Sequence, residues 1–446
     1  MKMLMDHQTE TVERNGGAPD KARPVGWQKA LLLLLVGWFL LSQAYNGATN
    51  PASAITGWDF RVFYDAATRL NNGEELYSIT GNAVGKTPYI YTPLIAQAFR
   101  PLAHLPREKA VKIWFFISAG CLALSVALYA AAAGFTLAEI VPLCVMLVVG
   151  FRFWPTVFNF GLGQINDLLL LCACAMFWAE SRDRSKLAGF LIALAALIKL
   201  WMFGILIYPL VKRDWKASIS SVLFYCAGLA VFFIPGGLGA WKKFCAVTAA
   251  NAQQPFLLSQ SILGFARLQF AANTHIHALM PSKALFFTFL GLGYLAVGAS
   301  FVYLWSRGGP KSPYESRLWF GVCLLSIPLV SPLCHDEYYI LALPLLWALL
   351  TAPKSDPPGW RIGGAVAALI LYALLTRPWP TSGDGLSAHN QGLGSLLATA
   401  FFILGGAIWL LGVLSIVMAR ANAAKAAAAS EGAPSALPPL SVPAGS

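Results

Sequence analysis

The chain has 446 residues, of which 57% are hydrophobic and only 12% charged, and its mean hydropathy is +0.61. A soluble domain carries about 25% charged residues, so a water-soluble globular domain is excluded, and apolar runs of roughly 17–25 residues recurring from end to end indicate an all-α polytopic membrane protein. The net charge of +12 comes from Lys and Arg lying mostly between apolar runs, where they set orientation. No nucleic-acid partner is expected from it, and a β-barrel is excluded because period-two alternation is lacking.

Residues 1–26 are polar, with Gly16, Gly17, Pro19 and Pro24, and are expected to be disordered and cytoplasmic. Trp27–Tyr45 is the first span and leads outward, behind no cleavage site, so it reads as an anchor. A long outer loop, 46–110, follows. It holds Gly57-Trp58-Asp59-Phe60-Arg61-Val62-Phe63-Tyr64-Asp65-Ala66-Ala67, in which Phe60, Phe63, Tyr64 and Ala67 share one face at helical spacing. Asp59 opens that face. It reads either as the N-cap of an interfacial helix or as a general base held where a lipid-borne substrate meets water. Asp65 reads as a solvated helix face. Leu94–Leu105 is too short to span and should lie in the interface.

Spans at about 111–133 and 137–153 come next, and Phe151-Arg152-Phe153-Trp154-Pro155 ends the third outside. Gly163-Gln164-Ile165-Asn166-Asp167 then opens span four, about 164–180, which closes in a basic cytoplasmic segment. Leu187–Val211 is apolar apart from Lys199 and is basic on both flanks. The positive-inside bias therefore favours a re-entrant helical pair turning back near Lys199 rather than a single crossing. A charge at that tip is costly without a partner. Later spans are expected at 217–235, 284–305, 318–332, 338–352, 361–376 and 394–418. A second outer loop, 236–282, contains Ser259-Gln260-Ser261, and a disordered cytoplasmic tail, 420–446, ends the chain. The 8 cysteines show no metal spacing and lie mostly in apolar runs, as small hydrophobes.

Under this topology Asp59, Arg61, Arg152, Gln164, Asn166, Asp167, Lys199, Gln260, His335, Asp336 and Glu337 collect toward the outer side. A transporter places such groups near the midplane and usually shows two related halves. No internal repeat is found, and a water-facing pocket open to lipid fits better. Trp58, Tyr64, Tyr89 and Tyr91 read as a lipid or sugar platform or as an interfacial aromatic belt.

The order Trp58-Asp59-Phe60, Tyr64-Asp65-Ala66-Ala67, Leu76-Tyr77 and Tyr91-Thr92-Pro93-Leu94 resembles the first outer loop of glycosyltransferase family 87, polyprenyl-phosphate-mannose-dependent enzymes of the GT-C superfamily. Gly163-Gln164-Ile165-Asn166, Ile198-Lys199 with Arg213-Asp214-Trp215, and Ser331-Pro332 with His335 extend the resemblance over roughly residues 35–350. The chain departs from the family at Thr92, at Ser259-Gln260-Ser261 and in having one histidine, His335, in the late motif.

The resemblance implies a GT-C fold of about 12 membrane helices within residues 27–419. It also implies inverting transfer of a sugar, mannose by family, from a polyprenyl-phosphate donor to a glycolipid or glycan acceptor at the outer face of the bacterial inner membrane. Both termini would then be cytoplasmic. Asp59 would be the base, with His335 orienting it or sharing its proton. Lys199 and Arg152 would face the leaving phosphate. Gln164, Asn166, Gln260, Tyr64 and Tyr91 would contact substrate, although helix capping alone explains Asn166. Asp59, Asp336, Glu337 and His335 have hard-ligand chemistry, but the transfer does not require a metal, and neither metal nor cofactor is expected. The alternative is a lipid or sugar transporter without chemistry.

Overall fold

The structure is a computed structural model that describes residues 27–48, 57–77, 88–136, 139–234, 236–253, 259–271, 278–353, 358–377 and 394–431. The expected disorder of residues 1–26 and of 432–446 falls outside them, whereas residues 420–431, expected within the disordered tail, continue the C-terminal helix. Among the described residues every regular element is a helix. In chain order these are α1 (Trp27–Ala48), α2 (Trp58–Asn71), α3 (Pro93–Phe99), α4 (Arg107–Ala132), α5 (Ile140–Arg152), α6 (Trp154–Leu162), α7 (Asn166–Glu180) and α8 (Ser185–Ile198). A 3₁₀ helix, Leu200–Leu206, then leads into α9 (Ile207–Lys212), α10 (Trp215–Phe233), α11 (Gly237–Gln253), α12 (Ile262–Phe270), α13 (Lys283–Ser306) and α14 (Pro313–Val330). A second 3₁₀ helix, Asp336–Ala342, precedes α15 (Leu343–Leu350), α16 (Pro358–Leu375) and a C-terminal helix, Ala400–Glu431.

Four of these are long and apolar enough to cross a membrane, namely α4, α10, α13 and Ala400–Asn422 of the last helix. The pair α5 and α6, bent by 51° at Phe153, is a fifth if it counts as one span. The bend has a local cause: Phe153 is extended, and Pro155 sits in the first turn of α6, where a missing N–H costs nothing. Serine or aspartate side chains cap α10, α12, α13 and α14, as Asp214, Ser261, Ser282 and Ser312 accept from the backbone N–H three residues on.

The core gathers on α14, which is buried over most of its length. Phe320 stacks on Phe177 of α7 at 4.5 Å and 2°. Gly321 lets α15 approach, since a Cβ there would meet the Leu345 backbone at 2.6 Å. Aromatic packing also fixes the outer loop. Phe63 and Phe60 of α2 meet Phe99 of α3 at 5.3 and 5.8 Å, and Phe99 meets Trp114 of α4 at 4.6 Å. The Leu94–Leu105 stretch, expected in the interface, is α3 followed by a 3₁₀ turn, Leu102–His104.

The Lys199 segment leaves and returns. Ser185 Oγ donates to Asp214 Oδ2 at 2.7 Å, and Lys212 pairs with Glu180, so two residues 29 positions apart meet and the ends of the segment lie together. The outward limb α8, 14 residues, is about 21 Å long. The return limb has a 7-residue 3₁₀ helix and the 6-residue α9, about 23 Å together. Lys199 sits at the break between them in extended conformation (φ −137, ψ 117).

Candidate active site

The site is built where α2, the α6–α7 turn, the Lys199 break and the segment before α15 converge. The turn comes first. Gly163 ends α6 in the left-handed conformation (φ 67, ψ 34), and Trp114 Nε1 donates to the carbonyl oxygens of Gly163 and Gln164 at 3.1 and 3.3 Å. Phe60 of α2 lies so close that a Cβ on Gly163 would sit 2.7 Å from the Phe60 Cβ. Gly57 N–H donates to Gly161 O at 2.8 Å and starts α2, itself left-handed (φ 70). Two glycines with positive φ therefore clamp the first turn of α2 onto the Gly163-Gln164 turn.

That clamp sets Asp59 against Gln164. The N-cap of α2 is Gly57, and the carboxylate accepts from Gln164 Nε2 at 2.9 Å, so the reading of Asp59 as a cap is not the one the fold uses. Gln164 Oε1 accepts from Lys199 Nζ at 3.0 Å, and Asn166 Oδ1 accepts from the same ammonium at 2.9 Å. Asn166 likewise is not the cap of α7, whose N-cap is Ile165. The Tyr338 ring lies 4.6 Å from Lys199 Nζ, with the Tyr91 and Trp201 rings at 5.7 and 5.8 Å. Ion pairs elsewhere join Lys212 to Glu180, Lys243 to Glu75 and Arg420 to Glu315. Lys199 is held by neutral oxygens and π faces, with the charges of Asp59 and Glu337 nearby.

Burial pushes the Asp59 carboxyl up to about 6. The Glu337 charge adds to this, while the Gln164 hydrogen bond, Lys199 and His335 oppose it. Burial likewise raises Glu337, against Lys199. Burial lowers the His335 imidazole toward its neutral form. His335 packs edge-on to Tyr338 at 5.8 Å, and Tyr338 stacks on Trp201 at 4.8 Å. Gln164, Asn166, Lys199 and Glu337 form a buried floor, while Asp59, Tyr91, Trp201 and His335 remain partly accessible and Trp58 is exposed. Among the described residues no three His, Cys, Asp or Glu side chains converge as metal ligands do. A carboxyl poised near neutrality beside an amide-held cation can take a proton and stabilise an anion in one place.

Asp59, His335, Lys199, Gln164, Asn166 and Tyr91 come together, and three other expected site residues stand elsewhere. Tyr64 donates its hydroxyl to Leu105 O at 2.7 Å and braces the outer loop. Gln260 spans to Ala398 O at 2.7 Å, its N–H donates to Cys334 O at 2.7 Å, and its own carbonyl accepts from Tyr339. It fixes the segment that carries His335. Arg152 lies beyond the far end of α6, exposed, between α5 and α1. Sequence reasoning missed Trp201 and Tyr338. Their only signal is proximity in sequence to Lys199 and His335.

Comparison with known proteins bears on this geometry. The glycosyltransferase family 87 model matches residues 89–332. An alpha-(1->3)-arabinofuranosyltransferase of Corynebacterium glutamicum is 27% identical over 341 residues, 73% of each chain. Two polyprenol-phosphate-mannose-dependent alpha-(1-2)-phosphatidylinositol pentamannoside mannosyltransferases are also similar. That of Mycobacterium tuberculosis is 27% identical over 357 residues, 78% of each chain. That of Mycolicibacterium smegmatis is 28% identical over 301 residues, 66% of this chain and 68% of the relative.

Proposed function

We propose, from the premise that the chain belongs to glycosyltransferase family 87, that it transfers a sugar, mannose, from a polyprenyl-phosphate donor to a hydroxyl of a glycolipid or glycan. The observation that carries this reading is the Asp59–Gln164–Lys199 relay, which sets one base and one cation at a single point. Asp59 accepts the proton of the acceptor hydroxyl as its oxygen bonds to the anomeric carbon. The bond from that carbon to the phosphate oxygen breaks on the opposite face, giving inversion. The departing lipid phosphate takes the electron pair, and Lys199, which donates to two amide oxygens, stabilises it. His335 orients Asp59, Asn166 holds Lys199, and the Tyr91, Trp201 and Tyr338 rings offer faces to sugar or prenyl carbon.

The membrane arrangement follows the same line. The meeting of Ser185 with Asp214 and the matched limb lengths support Leu187–Val211 as a re-entrant pair with Lys199 at its tip. Every short basic loop then falls on one side, the cytoplasmic side, together with both termini. The site opens at the outer face of the bacterial inner membrane, within a GT-C fold of about 12 membrane helices. An arabinofuranosyl donor is the second reading, favoured by the Corynebacterium relative.

The test uses purified protein in lipid with a membrane extract as acceptor source. It is supplied in turn with radiolabelled polyprenyl-phosphate-mannose, polyprenyl-phosphate-arabinofuranose and a nucleotide-mannose. Transfer from the first alone is expected. Transfer from the second alone replaces the sugar and keeps the chemistry. Transfer from neither lipid donor overturns the reading and favours a transporter.

A further inference from the structure

A groove of about 630 Å³ runs between α1 and α5. Leu35, Phe39 and Leu40 of α1 and Val148 of α5 wall it, with Gln43 and Arg152 as its polar members. Each of those two is the last lining residue of its helix, and both helix ends lead to α6. Arg152 adjoins α6 in sequence, while Tyr45 of α1 meets Phe115 at 5.4 Å, which meets Phe160 of α6 at 5.2 Å. The groove therefore has an apolar length and one polar end. Leu35, Phe39 and Val148 are 56, 59 and 41% exposed, so it is open to the lipid phase. Arg152 is exposed and has no hydrogen bond or ion pair among the described residues. At the end of a helix a guanidinium reaches the headgroup region, where it fits a phosphate with two parallel N–H donors.

We propose that this groove seats the acceptor, a bilayer glycolipid with a phosphodiester in its headgroup, whose tail lies along α1 and α5 and whose phosphodiester binds Arg152. The inference rests on the transfer reading given above. The choice between the two lipids follows from the chemistry. The donor's phosphate is bonded to the reacting carbon, so it leaves at Lys199. Arg152 is separated from Gln164 by the nine residues of α6, about 14 Å of helix. An anion at Arg152 cannot be the leaving group, and it is left for the other lipid. The glycan between phosphodiester and reacting hydroxyl then runs the length of α6, which acts as a ruler: acceptors of only one sugar place their hydroxyl short of Asp59.

The test is a binding measurement independent of catalysis. Full-length protein in dodecyl maltoside micelles, which carry no phosphate, is titrated with phosphatidylinositol or, as an uncharged match, a glucosyl diacylglycerol, and retained lipid is counted by native mass spectrometry. The wild type is expected to retain phosphatidylinositol over the glucosyl lipid. Arg152→Gln should lose that preference about tenfold, as for a charge-assisted pair, and Val148→Trp, which fills the groove, should lose it too. Equal retention by wild type and Arg152→Gln, or no preference in the wild type, overturns the proposal and leaves Arg152 to bulk headgroups. In the transfer assay Arg152→Gln should raise acceptor KM about tenfold with donor KM unchanged. A rise in donor KM instead overturns the assignment to the acceptor. Failure of the wild type to transfer any sugar counts against the transfer reading, while the lipid count still reports on the groove.

Discussion

Asp59 and Lys199, 140 positions apart in the chain, are joined through a single side chain. The amide of Gln164 donates to the Asp59 carboxylate at 2.9 Å and accepts from the Lys199 ammonium at 3.0 Å. A carboxylate and an ammonium in direct contact would neutralise each other. One amide between them leaves the carboxylate free to take a proton and the ammonium free to meet an anion, as the proposed transfer requires.

Activity should therefore depend on pH with a sign fixed by Asp59. The base must be ionised, so the rate falls about tenfold per unit below pH 6 and levels above it. Glu337→Gln removes a nearby charge that holds Asp59 up, and the acid limb of kcat/KM should move to lower pH. Stability should show the opposite sign. Between pH 4 and 6 the folded protein keeps a proton on Asp59 that the unfolded chain has released, so this group's contribution to stability falls as pH rises through that window. A pH–rate profile unmoved by Glu337→Gln would contradict the electrostatics.

Gly163→Ala should damage the site without touching its chemistry. The backbone there has φ +67, and the added Cβ would stand 2.7 Å from the Phe60 Cβ. The strain costs on the order of 1–3 kcal/mol and pushes α2, with Asp59, off Gln164. Thermal unfolding and kcat should fall together. Gly161→Ala, whose Cβ meets nothing within 4 Å, is the control and should retain activity.

Lys199→Gln should lower kcat about 10²–10³-fold, the scale of losing one preorganised group at a developing anion. Lys199→Arg should not rescue it, because the ammonium sits between two amide oxygens and over three rings, where a planar guanidinium does not fit in the same place. Steady-state kinetics on both variants checks this.

Much of this arrangement was legible in the sequence. Asp59, Gln164, Asn166, Lys199 and His335 stood out because a polar residue beside a long apolar run is costly and asks for a reason. Basic flanks around Leu187–Val211 pointed to a turn at Lys199, where the helix does break. Trp201 and Tyr338 were not legible, since an aromatic near a membrane surface reads equally well as belt or core. Tyr64, Gln260 and Arg152 were legible as unusual residues but not as to place: their partners, Leu105, Ala398 and the α1 groove, lie far off in the chain. α6 was not anticipated, because a helix of nine residues is too short to read as a span.

The proposed re-entrant pair around Lys199 makes a topological prediction. Arg184→Cys and Lys216→Cys, both at exposed positions, should react with a membrane-impermeant maleimide from the same side of intact vesicles. Reaction from opposite sides would make Leu187–Val211 a crossing span and invert every later loop.

The most direct measurement of the central claim is sugar transfer from radiolabelled polyprenyl-phosphate-mannose by wild type and Asp59→Asn, purified in lipid and matched for thermal stability. The substitution keeps the shape of the Asp59 side chain and removes its basicity. Transfer by the wild type with none detectable from Asp59→Asn is the result predicted. Equal transfer by both would remove Asp59 from the mechanism and move the base to Asp336 or Glu337.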